Sequence, residues 1–273
     1  MLEFFSFSFF QNTLIGALLV SIACGLIGPW IMVNRLFSMA GGITHGAFGG
    51  IGIAIYFALP ILLSTGIFTI LLAFFVAILS KKYPNRSDNI IAVIWAFGMA
   101  LGLIFIDLTP GYKGDLMAYL FGSILLISLE DLVLMTICDF IFIILIFMFF
   151  TQFEALSFDE EFTRLKGVNT NIFYYILITM IAICIVLCIR VVGLVLVLAL
   201  LSIPCFIAEK FTKKLFFMMI ISCILSMIFC ILGIILSVIF DLSSGASIIM
   251  VSCLCFLFSI LGKNYIKRLN PLS

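Results

Sequence analysis

Apolar residues run through this chain in long blocks separated by short polar breaks. About nine such blocks stand out, over 12–33, 39–58, 60–80, 88–108, 131–151, 171–189, 191–208, 215–239 and 246–262. A helix rises about 1.5 Å per residue, so roughly 20 residues cross a bilayer core. Every backbone N–H and C=O must be satisfied inside lipid, and these blocks are far longer than barrel strands. The pattern predicts an all-α polytopic membrane helix bundle of about nine spans, a single domain over 1–273. Pro60 suits a helix start, whereas Pro29 and Pro204 fall inside spans and predict kinks. Residues 115–128 are apolar but too short to cross, which predicts a re-entrant or interfacial helix. Ser128 followed by Asp131 resembles a capping box opening the next span.

One break is unlike the others. Residues 157–167 hold Asp159, Glu160, Glu161, Arg164 and Lys166. Ser157 followed by Glu160 reads as a capping-box start, and Gly167 is placed to end a helix. Acids in the first turn and bases in the last match the helix dipole. Phe158, Phe162 and Leu165 fall at i, i+4 and i+7, giving one apolar face. The spacing predicts a short amphipathic helix over about 158–166.

Composition agrees with the membrane reading: 65% of residues are hydrophobic, 10% are charged and the mean hydropathy is +1.41. No soluble globular domain has this balance. The net charge of +1 gives no footing for a nucleic-acid partner. The first residues carry no basic segment, so no cleavable signal peptide is expected. The nine cysteines lie mostly inside predicted spans, as small apolar packing residues or, for pairs such as Cys184 and Cys188, as metal ligands. No disulfide framework is indicated.

The basic residues set the orientation. With the N-terminus outside and the C-terminus in the cytoplasm, twelve of the 14 Lys and Arg fall on inner loops. Only Lys113 and Arg190 fall outside. The polar helix near 158–166 is then cytoplasmic.

Some polar residues lie where lipid makes them costly. His45 is the only histidine, roughly 9 Å into the second span. Gly41, Gly42, Gly46, Gly49, Gly50 and Gly52 surround it, and Gly42, Gly46 and Gly50 form a stripe that admits another helix. The imidazole reads either as bonded to a neighbouring helix or as a transient metal ligand facing a pathway. Asp241 begins Asp-Leu-Ser-Ser-Gly-Ala-Ser, as a cap of the final helix (with Ser243 and Ser244) or as a carboxylate at an outer mouth. Asp139 lies about a third of the way through its span and is a third candidate ligand. Asp107 and Glu209 lie near span ends, where side chains snorkel. Gly98 and Gly102 form another packing pair. No G-x-x-x-x-G-K-[ST] sequence is present, so the chain has no recognisable ATP site.

Taken in order, four blocks resemble the integral membrane permease of bacterial ABC importers for zinc, manganese or iron. They are Arg35 through Gly50, ending Gly-Gly-Ile-Thr-His-Gly-Ala-Phe-Gly-Gly; Gly114 through Gly122; Phe158 through Gly167; and Val192-Gly193 through Pro204, followed by Asp241 through Gly245. The resemblance implies two permease copies, cytoplasmic ABC ATPase subunits that use the ATP, and an extracytoplasmic metal-binding protein, in a bacterial cytoplasmic membrane. It implies no cofactor held by this chain, only a divalent metal ion in transit. His45 matches the family's histidine and Asp241 its late aspartate. Phe158, Glu160, Glu161, Phe162, Arg164, Leu165 and Gly167 match its coupling helix. Where the family often has an aspartate one turn before the histidine, this chain has Gly41. Two alternatives rank below it: a secondary metal-ion transporter without an ATPase, which predicts inverted repeats that the halves do not show, and a siderophore or metal-chelate ABC permease, whose chains are usually longer with more spans.

Overall fold

The structure, a computed structural model, describes the backbone of residues 8–110, 127–194 and 197–269, with side chains described between 11 and 261. All its regular elements there are helical. They are α1 (Ser8–Val33), α2 (Phe37–Gly46), α3 (Phe48–Tyr56), α4 (Ile61–Lys82), a 3-10 turn (Pro84–Arg86), α5 (Ser87–Asp107), α6 (Leu129–Phe158), α7 (Glu160–Leu165), α8 (Thr170–Val192), α9 (Val197–Glu209), α10 (Leu215–Phe240) and α11 (Ser244–Leu269).

Seven of these are long and apolar enough to cross a membrane: α1, α4, α5, α6, α8, α10 and α11. The other two expected spans are interrupted helices rather than single long ones. The block at 39–58 is a helix broken at Ala47, whose halves α2 and α3 together cover Phe37–Tyr56. The block at 191–208 is divided: its start finishes α8, and α9 has 13 residues, too few to cross alone. Gly193 makes that division with φ +84, a conformation glycine adopts without cost. The helix expected at 115–128 lies almost wholly outside the described residues.

Helix ends gather at two poles. At one, the Asn34 amide donates to Ser157 Oγ at 2.8 Å, and Lys81 Nζ meets Glu160 at 3.1 Å and Asn171 at 2.6 Å. At the other, Ser128 and Asp131 form the expected capping box on α6, with mutual bonds of 3.1 and 3.2 Å. Asp131 also takes a 2.5 Å ion pair from Arg190, so the second exception to the basic-residue pattern has a partner. The α8 backbone therefore runs from one pole to the other beside α6.

α1 and α8 are the most buried of the crossing helices. α1 packs on α6, α8, α9 and α10. A Cβ on Gly28 would meet the Leu201 carbonyl of α9 at 2.6 Å, so α1 lies nearly backbone to backbone with that helix. Toward the pole of Asn34, aromatic rings join three helices. Trp30 of α1 lies 5.7 Å from both Phe150 and Phe153 of α6, and Phe173 of α8 lies 5.4 Å from Phe149. Phe149 itself leaves helical geometry (φ −119°, ψ 21°), and α6 kinks there. The straight part of α6 finishes at Phe149, two residues before the expected span end at 151, and the helix goes on to Phe158.

Candidate functional site

Glycines set the geometry around His45. A Cβ on Gly98 would sit 2.6 Å from Gly46 Cα, and Gly52 and Gly102 are in similar backbone contact. The glycine stripe of α2–α3 and the pair on α5 thus pack against each other, since no side chain separates the backbones. That approach lays Trp95 of α5 on His45. The two rings are stacked, with centroids 4.2 Å apart and planes 2° from parallel. The indole N–H is turned to Met99 Sδ at 3.0 Å. No hydrogen bond from a described residue reaches the imidazole. In place of the expected bond to a neighbouring helix the ring makes a stack, which occupies one of its faces and leaves its in-plane edge to the two nitrogens. The chain breaks two residues later, at Ala47, with a tight Gly50 N–H to Ala47 carbonyl bond of 2.9 Å. Ala47 keeps α-helical angles (φ −57°, ψ −22°), so the interruption beside the half-buried imidazole is slight.

Gly41 is one turn earlier on α2. A Cβ there would lie 3.2 Å from Leu198 Cδ1 of α9. The position faces a flexible leucine rather than backbone.

The other two sequence candidates have different surroundings. Asp241 is exposed and left-handed (φ 52°, ψ 46°), ending α10 through its N–H to the Ser237 carbonyl. The expectation that it caps the final helix is corrected. α11 starts at Ser244, and Ser247 bonds back to the Ser243 carbonyl at 3.0 Å through its N–H and 2.9 Å through its hydroxyl. Asp139 is only 4% exposed in the middle of α6, and neither carboxylate oxygen has a hydrogen-bond partner. Among the described residues, the side chains gathered tightly enough to share a metal ion are Cys24, Cys184 and Cys188. His45, Asp139 and Asp241 do not belong to that group.

The polar helix exists, with shifted bounds. Ser157 and Phe158 belong to the end of α6, where the Ser157 hydroxyl donates back to the Phe153 carbonyl at 2.8 Å. Ser157 is itself helical within α6, so it does not stand at the start of the next helix. Asp159 caps α7 instead, accepting from the Phe162 N–H at 2.9 Å. Gly167, with φ +82, closes the helix in a Schellman arrangement: its N–H bonds the Arg164 carbonyl at 3.0 Å, and the Val168 N–H bonds that of Thr163 at 3.4 Å. Phe158, Phe162 and Leu165 are 72%, 51% and 86% exposed, a greasy face turned away from the bundle. Glu161 and Arg164 are exposed beside it. Glu160 turns inward, onto Lys81 of α4 and, at 3.3 Å, the Thr170 hydroxyl of α8. The opposite face buries Thr163. Sequence spacing gave no hint of the His45–Trp95 stack, the Asp131–Arg190 pair or the Lys81–Glu160 tie, because each joins residues 50 or more positions apart.

Residues 6–263 match the model of the ABC 3 transport family. The chain is 42% identical over 260 residues to the membrane protein slr2045 of Synechocystis sp., covering 95% of this chain and 92% of that one. It is 28% identical over 255 residues to the manganese transport system membrane protein MntC of Listeria monocytogenes, covering 93% and 91%. The solved structure of PsaBC from Streptococcus pneumoniae in complex with Fab superposes with a TM-score of 0.85 at 27% identity, covering 94% of this chain and 92% of that chain. The chain is a multi-pass membrane protein and belongs to the ABC 3 transport family.

Proposed function

We propose that this chain is the membrane permease of an ATP-driven importer that moves a divalent metal ion into the cytoplasm. The observation that carries the reading is the exposed apolar face of α7 in a family member that lacks a nucleotide-binding sequence. Phe158, Phe162 and Leu165 seat in a groove of a cytoplasmic ABC ATPase, with Glu161 and Arg164 at the rim. Glu160, through Lys81 and Thr170, passes the motion to α4 and α8.

Two permease copies, the ATPases and an extracytoplasmic metal-binding protein make up the working assembly. The N-terminus lies outside and the C-terminus in the cytoplasm, in agreement with the basic-residue bias. His45 is a transient ligand on the path, Asp241 a carboxylate at its outer mouth, and Asp139 a third acidic candidate. A transport site must release what it accepts, so a sparse set of ligands is suited to the task. Manganese is the first cargo to test, because the Listeria relative bears that name; zinc and iron are the comparisons.

The test is uptake of labelled manganese, zinc and iron in a strain deleted for the chain, complemented with and without its ATPase. Accumulation that needs both subunits is the expected result. Accumulation that persists without the ATPase overturns the reading in favour of secondary transport.

A further inference from the structure

The group of three thiols in the core is not used by the importer reading. Cys24 comes from α1, and Cys184 and Cys188 from one face of α8, one turn apart. All three are buried. Cys24 Sγ lies 3.2 Å from Cys188 Sγ, and Cys184 Sγ 4.0 Å from Cys188 Sγ. All three sulfurs fall within 4.8 Å of one another. Sulfurs around a tetrahedral zinc, each about 2.3 Å from the ion, are spaced roughly 3.8 Å apart. The two printed spacings fall on either side of that value, so closing the site takes side-chain shifts of about half an ångström or more.

A second observation points to a cation at the same place. Asp139 of α6 lies within electrostatic range of Cys184 and Cys188. Its carboxyl is buried, and both oxygens lack a partner. A carboxylate at membrane depth with no donor is costly, and a cation beside it removes that cost.

We propose that Cys24, Cys184 and Cys188, with Asp139 beside them, form a buried site for one thiophilic cation, zinc or monovalent copper, that discriminates against manganese. Thiolate sulfur selects such ions, whereas manganese favours oxygen and nitrogen ligands. For zinc two of the three thiols ionise and for monovalent copper one does, the remaining sulfur ligands staying neutral thiols. Asp139 takes up one of the released protons and any other goes to solvent, which leaves the buried site uncharged. The bound ion joins α1 to α8, the two most buried crossing helices. The site uses neither His45 nor the α7 face, and of the importer's candidate ligands it shares only Asp139, so metal retention at the thiols is read separately from His45-dependent uptake.

The experiment loads the full-length chain, in lipid nanodiscs, with zinc in one arm and with monovalent copper under anaerobic reduction in the other. Metal retained after desalting is counted. The expected result is one zinc or one copper per chain, with affinity lowered at least tenfold by Cys24→Ser and by Cys188→Ser and unchanged by Cys253→Ser. Cobalt, standing in for zinc, then gives sulfur-to-metal charge-transfer absorption that Cys188→Ser weakens. Retention of neither ion overturns the proposal, as does loss that is equal for Cys188→Ser and Cys253→Ser. If the serine variants do not fold, the unfolding temperature of the unaltered chain decides. A rise with zinc or copper but not with manganese supports the site, and no rise with either overturns it.

Discussion

The His45 imidazole lies flat on the Trp95 indole, joining the broken helix α2–α3 to α5 through two ring faces. A stack of this kind is worth about 0.5–1.5 kcal/mol beyond the area it buries. It also fixes which way the ring nitrogens point. Trp95→Leu keeps an apolar side chain but frees the ring. Metal uptake is expected to fall about threefold to tenfold at normal expression, whereas His45→Ala abolishes it. Uptake by Trp95→Leu equal to that of the unaltered chain would show that the stack has no part in holding the ligand.

Gly41→Asp is expected to strengthen the site. The new Cβ meets only Leu198 Cδ1, at 3.2 Å, so the leucine yields by a few tenths of an ångström. The carboxylate then stands one turn from His45 on the same helix face. Divalent-metal affinity measured by calorimetry should rise, and maximal uptake should fall if release becomes limiting. Unchanged affinity would mean that the position does not face the path.

Gly98→Ala tests the backbone contact beneath that site. Its methyl group would lie 2.6 Å from Gly46 Cα, against backbone that cannot step aside. Overpacking of this kind costs about 1–3 kcal/mol. Gly66→Ala is the matched control, because nothing lies within 4 Å of its added Cβ. Thermal unfolding in detergent should separate the two variants clearly.

Phe162→Asp places a charge in the middle of the α7 apolar face. Asp159 and Gly167 still cap the helix, so the chain should fold and insert normally. Co-purification of the ATPase and metal uptake should both be lost. Lys81→Ala removes an exposed ion pair worth less than about 1 kcal/mol. Its stability should therefore hardly change, and a loss of ATP-stimulated uptake with the ATPase still bound would identify the tie as part of the transmission.

The Asp131–Arg190 pair predicts a non-additive cycle. Asp131 is buried and Arg190 half-buried, so Arg190→Met leaves a carboxylate with only its cap bond for company. Single variants are expected to cost about 2–4 kcal/mol. The double variant Asp131→Asn with Arg190→Met should recover part of that loss in the same unfolding measurement. Strict additivity would mean that the two residues act separately.

Much of this architecture was legible in the order of residues, for a physical reason: the bilayer imposes length and apolarity, and both can be read along the chain. The same rule passes over two interruptions. The break at Ala47 costs little in a stretch rich in glycine, and hydropathy does not register it. The division at Gly193 rests on one backbone angle, which hydropathy also passes over. Caps were half legible. Ser128 with Asp131 was found because the two sides of the box are local. At the second site the expected cap was Ser157, but α6 runs on through Phe158 and the cap falls to Asp159. The site was the least legible. Trp95 and His45 are 50 positions apart, and Cys24 meets Cys188 across 164.

The kink at Phe149 makes the end of α6 a lever. From Phe150 to Phe158 the arm is nine residues, about 13 Å at 1.5 Å per residue. The ring cluster of Trp30, Phe150, Phe153 and Phe173 is its bearing, and α7 is hung from its tip. A swing of about 10° at the elbow carries the tip roughly 2 Å, enough to break the Asn34–Ser157 bond. On the importer reading, a small push on the six-residue helix would become an angular displacement set against the two most deeply enclosed spans of the bundle.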